Sequence, residues 1–254
     1  MKEYHIEKVE QYISVINENF PRFSLSRGQW SDKCLFPSAF RLDDSGMRLF
    51  SDGQIDFFLD DFKNESLQYI HGHGLEIQND YEWLVYAQHF GVPTRLLDFT
   101  FSHLVSLMFA VEKAFEEDDE ESSVVWLLDC GSLNENSIGN KNIVNLSSES
   151  VINNMKYPCA VTARKINPRV IAQNGVFVLF QKESQPLPLE KIDIANDVLR
   201  KIIIPHSKAK RILSELYTMG MRFNNLYPEL TSVSKDILLK NNVIEFLRME
   251  NENE

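Results

Sequence analysis

The sequence predicts an α+β fold in which a central mixed or antiparallel sheet packs around a buried helix. Three observations carry this. Residues 102–115 are apolar almost all round (Leu104, Val105, Leu107, Met108, Phe109, Ala110, Val111, Ala114, Phe115), and a helix apolar on every face is either buried or in a membrane. This one is shorter than the roughly 20 residues a bilayer span needs, so it is read as a core helix. A short continuous apolar run at 124–129 reads as a buried strand, and further strands are read from about 175 to 180 and over 200–205. Strands and helices alternate irregularly, which favours α+β over a doubly wound parallel sheet.

The elements follow in chain order. Val9, Tyr12, Ile13 and Ile16 have amphipathic-helix spacing. Residues 23–28 alternate apolar and polar up to Arg27-Gly28, a strand that ends by delivering an arginine, with a glycine that permits close backbone approach. Residues 34–41 read as a loop turned at Pro37. Helices are expected over 54–70, ending near His71-Gly-His-Gly74, and over 79–90. Residues 131–155, rich in Asn and Ser, read as a long loop. Pro205 stops the strand before it, Gly220 closes the next helix, and Pro228 starts a last helix reaching about residue 248.

Composition bounds the function. The chain has 254 residues, 43% hydrophobic and 25% charged, as in an ordinary globular protein. One domain is expected over 1–254, with an N-terminal helix in 1–20, a core over 21–240, and a helix end and tail over 241–254. The N-terminus lacks the basic start and apolar middle of a signal peptide, and no apolar run is long enough for a membrane span. A soluble, cytoplasmic protein without a membrane partner is therefore expected. Cys34, Cys130 and Cys159 are widely spaced and read as reduced thiols. No zinc-ligand spacing is present, and His71 and His73 lack a third ligand at ligand spacing, so no metal site is expected.

The formal net charge of −11 argues against a general nucleic-acid binder. Much of it lies in 116–121, read as a solvated loop. Arg200, Lys201, Lys208, Lys210 and Arg211 run against that trend. They either hold phosphates of an RNA or DNA partner or are ordinary exposed charge.

The polar residues before the core helix (Gln88, His89, Thr94, Arg95, Asp98 and Thr100) nominate a site, because polar groups at the edge of a core need partners or a task. Alternatives stay open: Arg27 pairs with Asp98, His89 is a hydrogen-bonded turn residue, Thr100 or Ser102 caps the helix, and Gln173 bonds backbone. Dinucleotide, Walker, nucleophile-elbow and zincin signatures are absent.

Ser26-Arg27-Gly28-Gln29, Pro37-Ser-x-x-Arg41 and the string Ala87-Gln88-His89-Phe-Gly91-x-Pro93-Thr94-Arg95-Leu-Leu-Asp98-x-Thr100 resemble the FRG domain family. Ser26 stands where that family usually carries an aromatic residue. Arg169-x-x-x-Gln173-x-Gly175-x-Phe177 and Leu226-Tyr-Pro-Glu-Leu230 are similar to its later segments. More distantly, the order of elements resembles that of ADP-ribosyltransferases. That resemblance implies NAD as substrate, with Arg27, Gly28, Thr100 and Arg95 holding the nucleotide and Gln173, His89 and Asp98 at the reacting end. An arginine suits a diphosphate through charge-assisted hydrogen bonds. Gln173 stands where a carboxylate would be expected, so His89, Asp98 or Glu183 is expected to supply the missing charge. The implied activity is modification of a macromolecule (RNA, DNA or protein), as in a toxin or phage-defence effector restrained by an inhibitory partner. The alternative is a non-catalytic module that binds a nucleotide or nucleic acid in the same cleft.

Overall fold

A computed structural model describes residues 1–70, 77–116, 121–146, 155–164, 168–183 and 185–252. Eight strands form one sheet. In spatial order they are β1 (Lys2–His5), β8 (Leu199–Ile204), β4 (Ser123–Leu128), β2 (Leu25–Gln29), β3 (Leu96–Thr100), β7 (Gly175–Leu179), β6 (Cys159–Thr162) and β5 (Val144–Asn145). The outermost pairs, β1–β8 and β5–β6, are parallel, and the neighbours between them are antiparallel. The sheet is thus mixed.

The continuous apolar run of β4 follows from burial on both faces. Val125 and Leu127 face a core built with α1 (Val9–Asn19), α4 (His103–Val111), α8 (His206–Thr218) and α10 (Leu230–Glu252). Val124, Trp126 and Leu128 face a second core that includes Leu35, Phe40, Phe180 and, from α5 (Cys130–Ile138), Leu133. A third cluster beneath β6 and β7 takes Leu84 and Val85 from α3 (Asp80–His89).

The core helix is α4, with Leu107, Met108 and Ala110 fully buried. It is shorter than 102–115, and Leu104 in its first turn is 43% exposed, so burial begins at Val105. It crosses β2 at Gly28, where a Cβ would stand 1.8 Å from the Ser106 carbonyl oxygen and 2.7 Å from the Ala110 nitrogen. Helix packing alone therefore requires a glycine here.

Other expectations hold with shifted ends. The helix over 54–70 is α2 (Asp52–Ile70), and Gly220 takes φ +94° behind α8. Two expectations are corrected. Residues 1–20 are not helix alone, since β1 precedes α1 and pairs with β8. The first part of the expected 131–155 loop is α5. Asp129 caps it by accepting from the Ser132 N–H, Gly139 closes it at φ +71°, and buried Asn134 accepts from the Ala160 N–H. The helix end expected near residues 71–74, with His71 and His73, and most of the acidic run 116–121 lie outside the described residues. Among the described residues no helix is long and apolar enough to cross a membrane, and no cluster of metal-ligating side chains occurs.

Candidate functional site

β2 pairs with β4 through five residue pairs and β3 pairs with β7 through five, but β2 and β3 share only Ser26↔Thr100. Beyond that pair the ladder stops and a cavity of about 940 Å³ opens. Its walls include Arg27, Gly28 and Gln29 from β2, Asp98, Phe99 and Thr100 from β3, and Gln88 and His89 from the end of α3. Gln173, Gly175 and Phe177 come from the turn into β7 and from β7 itself, with Arg41 and Tyr227 from loops.

Arg27 crosses the gap that the ladder leaves. Its Nη1 donates to the Asp98 carbonyl oxygen at 2.8 Å and stands 3.9 Å from the Asp98 carboxylate, at the outer limit of an ion pair. The Arg27 side chain is 18% exposed, whereas that of Asp98 is 63% exposed. Burial lowers the Arg27 pKa, and Arg41 nearby pushes in the same direction. The Arg27 Nε is buried without a hydrogen-bond partner. A buried guanidinium with one long-range counter-charge and one idle donor is under-compensated. Such a group is suited to an anionic ligand.

Asp98 is held from the other side. Gln88 Nε2 donates to its Oδ1 at 2.7 Å, and Gln88 Oε1 accepts from the Thr94 hydroxyl. The polar string 88–98 is thus one connected network that fixes the Asp98 carboxylate at the cavity wall. The carboxylate, on a side chain that is mostly exposed, remains accessible to solvent or a ligand.

The Thr100 hydroxyl is engaged locally. It donates to the Gln173 carbonyl at 2.6 Å and accepts from the Ser102 N–H at 2.8 Å, tying the start of α4 to the turn before β7. That turn is sharpened by Asn174 at φ 47°, a conformation asparagine tolerates better than most residues. Gln173 Nε2 donates to the Leu226 carbonyl at 3.2 Å, so its amide anchors the segment carrying Tyr227. His89 lines the cavity, and burial, with Arg169 close by, lowers its pKa. It is therefore more readily neutral and able to accept a proton.

The cavity thus brings together Arg27, Gly28, His89, Asp98, Thr100 and Gln173. Arg95 is not among its lining residues. Its guanidinium donates to the Phe180 carbonyl at 3.1 Å, where it supports the edge of β7. Glu183 is exposed and likewise does not line the cavity. The basic stretch is largely partnered. Arg200 donates to the Asn196 and Leu199 carbonyls and lies over the Phe23 ring. Lys201 pairs with Asp32, Lys208 with Glu7 at 3.2 Å and Arg211 with Glu215 at 3.2 Å.

Ser26, the second residue of β2, lies inside a buried polar cluster. Its Oγ lies 2.8 Å from His103 Nδ1 and accepts from Ser106 Oγ at 2.7 Å. The Tyr12 hydroxyl donates to the His103 carbonyl at 2.7 Å. Hydroxyls and an imidazole fill this space, and burial lowers the His103 pKa.

Sequence reasoning missed two wall residues, Glu112 and Tyr227. Tyr227 donates to Glu112 Oε2 at 3.0 Å and lies beneath the Arg169 guanidinium, 4.6 Å from ring centroid to Cζ. One signal was present: Glu112 is the first charge to interrupt the apolar run that begins at Leu104. No curated protein and no solved structure matches the chain significantly. Residues 24–119, which carry β2, β3, α4 and most of the site, match the FRG domain family, and this part of the chain is an FRG domain.

Proposed function

We propose that the cleft between β2 and β3 binds NAD as a substrate and that the protein is an ADP-ribosyltransferase-like enzyme acting on a macromolecule. The observation that carries this reading is the under-compensated Arg27 at the point where the β2–β3 ladder stops. A diphosphate would take the idle Nε donor and supply the missing negative charge. Arg41, on the same cavity wall, would share it. A volume of about 940 Å³ is at the upper end of small-molecule sites, which suits a dinucleotide. Phe99, Phe109 and Phe177 add aromatic surface to a wall of mixed polar and apolar side chains.

In this reading Arg27 binds and orients, Asp98 and His89 flank the reacting end, and Gln173 acts by position through Leu226. Thr100 and Gly28 shape the cleft. The element order that resembles ADP-ribosyltransferases supports the same assignment. Roles in toxicity or phage defence, and restraint by an inhibitory partner, are proposals that follow from that activity.

A non-catalytic nucleotide-binding module is favoured by one observation, the hydrogen bond that commits the Gln173 amide to backbone. Nicotinamide release separates the two. Incubation of the full chain with NAD, with and without a cell extract as acceptor source, is expected to release nicotinamide. Binding of NAD without release would establish the module instead, and absence of binding would reject both.

A further inference from the structure

The reading above leaves Glu112, a half-buried carboxyl on the cavity wall, without a task. Glu112 follows the last residue of α4, so its carboxylate stands at the negative end of that helix, an unfavourable place for an anion. Burial raises its pKa, opposed by the hydrogen bond from Tyr227 and by the Lys235 and Arg169 charges, while Glu116 reinforces the rise. Tyr227 is its hydrogen-bond partner, bound to one oxygen only. Tyr227 is in turn within electrostatic reach of Asp98, and Gln173 holds the neighbouring Leu226 carbonyl. A carboxyl placed at an unfavourable helix end, half-desolvated and open on one side to the cavity, is arranged for proton exchange rather than for stability.

We propose that Glu112, positioned by Tyr227, is the catalytic carboxylate of the cleft; this rests on the reading of the site as one that cleaves NAD. In the step it serves, the bond between the ribose carbon and the nicotinamide nitrogen breaks, and its electron pair leaves with neutral nicotinamide. A lone pair of the acceptor nucleophile forms the new bond to that carbon, and the acceptor's proton passes to the Glu112 carboxylate, which returns it to water. The ionised form is the active one. The Tyr227 hydroxyl stabilises that form, and the Gln173 amide keeps Tyr227 in place.

The test uses the full chain as wild type, Glu112→Gln and Tyr227→Phe, with three readouts. These are ADP-ribose binding by calorimetry, nicotinamide release across pH, and the side-chain titration of Glu112 followed by carbon-detected NMR in ligand-free protein. In the wild type, release is expected to rise with pH through the Glu112 titration. Glu112→Gln is expected to bind ADP-ribose as the wild type does, lose that rise, and release nicotinamide on the order of 100-fold more slowly, as for loss of a general acid–base group. Tyr227→Phe removes a bond to the charged form, so the Glu112 titration and the rate profile should both move to higher pH. A folded Glu112→Gln protein with wild-type rate and profile overturns the assignment and leaves the NAD reading standing. An unmoved Glu112 titration in Tyr227→Phe overturns the positioning role. A wild type that binds ADP-ribose without releasing nicotinamide overturns catalysis by Glu112 and keeps the binding cleft. One that does neither removes the reading and the assignment together.

Discussion

β2 has two neighbours and treats them differently. Toward β4 it makes five residue pairs, from Leu25↔Leu128 to Gln29↔Val124, and toward β3 it makes one. On the first side backbone groups satisfy each other and the flanking side chains bury in two cores. On the second side the Arg27 guanidinium replaces the missing ladder by donating to the Asp98 carbonyl. The same five-residue strand therefore supplies stability along one edge and a polar cleft along the other. The residues that make the cleft sit where regular pairing has ended, because a completed ladder would close the space a ligand needs.

The largest effect is expected from closing the stable side against its helix. Gly28→Ala puts a methyl 1.8 Å from the Ser106 carbonyl oxygen of α4, and neither backbone can yield without shifting the other. Overpacking of this kind should cost about 3 kcal/mol, read as a fall in the urea midpoint. An unchanged midpoint would mean that α4 floats on β2 and that the contrast between the two edges is not one of rigidity.

Arg27→Ala probes the open side. Loss of a hydrogen bond to a charged group should weaken ADP-ribose binding by about 1.5–3 kcal/mol. The β2–β4 ladder does not depend on this side chain, so the protein should remain folded. Unaltered affinity in a folded variant would confine Arg27 to bridging the strands, and loss of folding would make the bridge its main role.

His103 sharpens the comparison where the two strands still touch. It bonds Ser26, the β2 member of the single β2–β3 pair, and burial lowers its pKa. A histidine whose folded pKa is depressed adds stability above its unfolded value, near about 6.5, and that stability is lost as pH falls through the folded value. Replacing His103 by Gln should therefore flatten the loss of stability below roughly pH 6.5. Denaturant titrations of both proteins over that range would measure it, and parallel curves would mean that protonation of His103 does not strain the junction.

Much of this was legible because periodicity and burial coincide. β4, β7 and β8 announce themselves as apolar runs, and α4 announces itself by lacking a polar face. β1 did not, because Lys-Glu-Tyr-His on an edge carries no apolar alternation. α5 did not, because its Asn and Ser side chains bond backbone within the fold, with Asn134 serving the Ala160 N–H across 26 residues. The site divides the same way. The string from Gln88 to Thr100 is local and readable, whereas the meeting of Glu112 with Tyr227 spans 115 positions and leaves no spacing to read. Gly28 was legible as a close approach, but the approaching group is α4.

The smallest effect is expected at the basic stretch, far from the contrast at β2. Lys208, Lys210 and Arg211 lie in the first turns of α8. Binding a phosphate backbone there would require Lys208 to leave Glu7 and Arg211 to leave Glu215, whose other carboxylate oxygen also accepts from the Val9 N–H. Exposed pairs of this kind contribute up to about 1 kcal/mol each, so reversing all three residues to Glu should lower stability only modestly and leave nicotinamide release unchanged. Release of counterions makes nucleic-acid affinity fall with salt in proportion to the phosphates neutralised. Because acids of the same surface already partner Lys208 and Arg211, the reversal is expected to leave both that affinity and its salt slope as in the wild type. A steep loss of affinity with a flattened slope would instead establish a phosphate lane on α8 and make a nucleic acid, rather than a protein, the acceptor brought to the cleft.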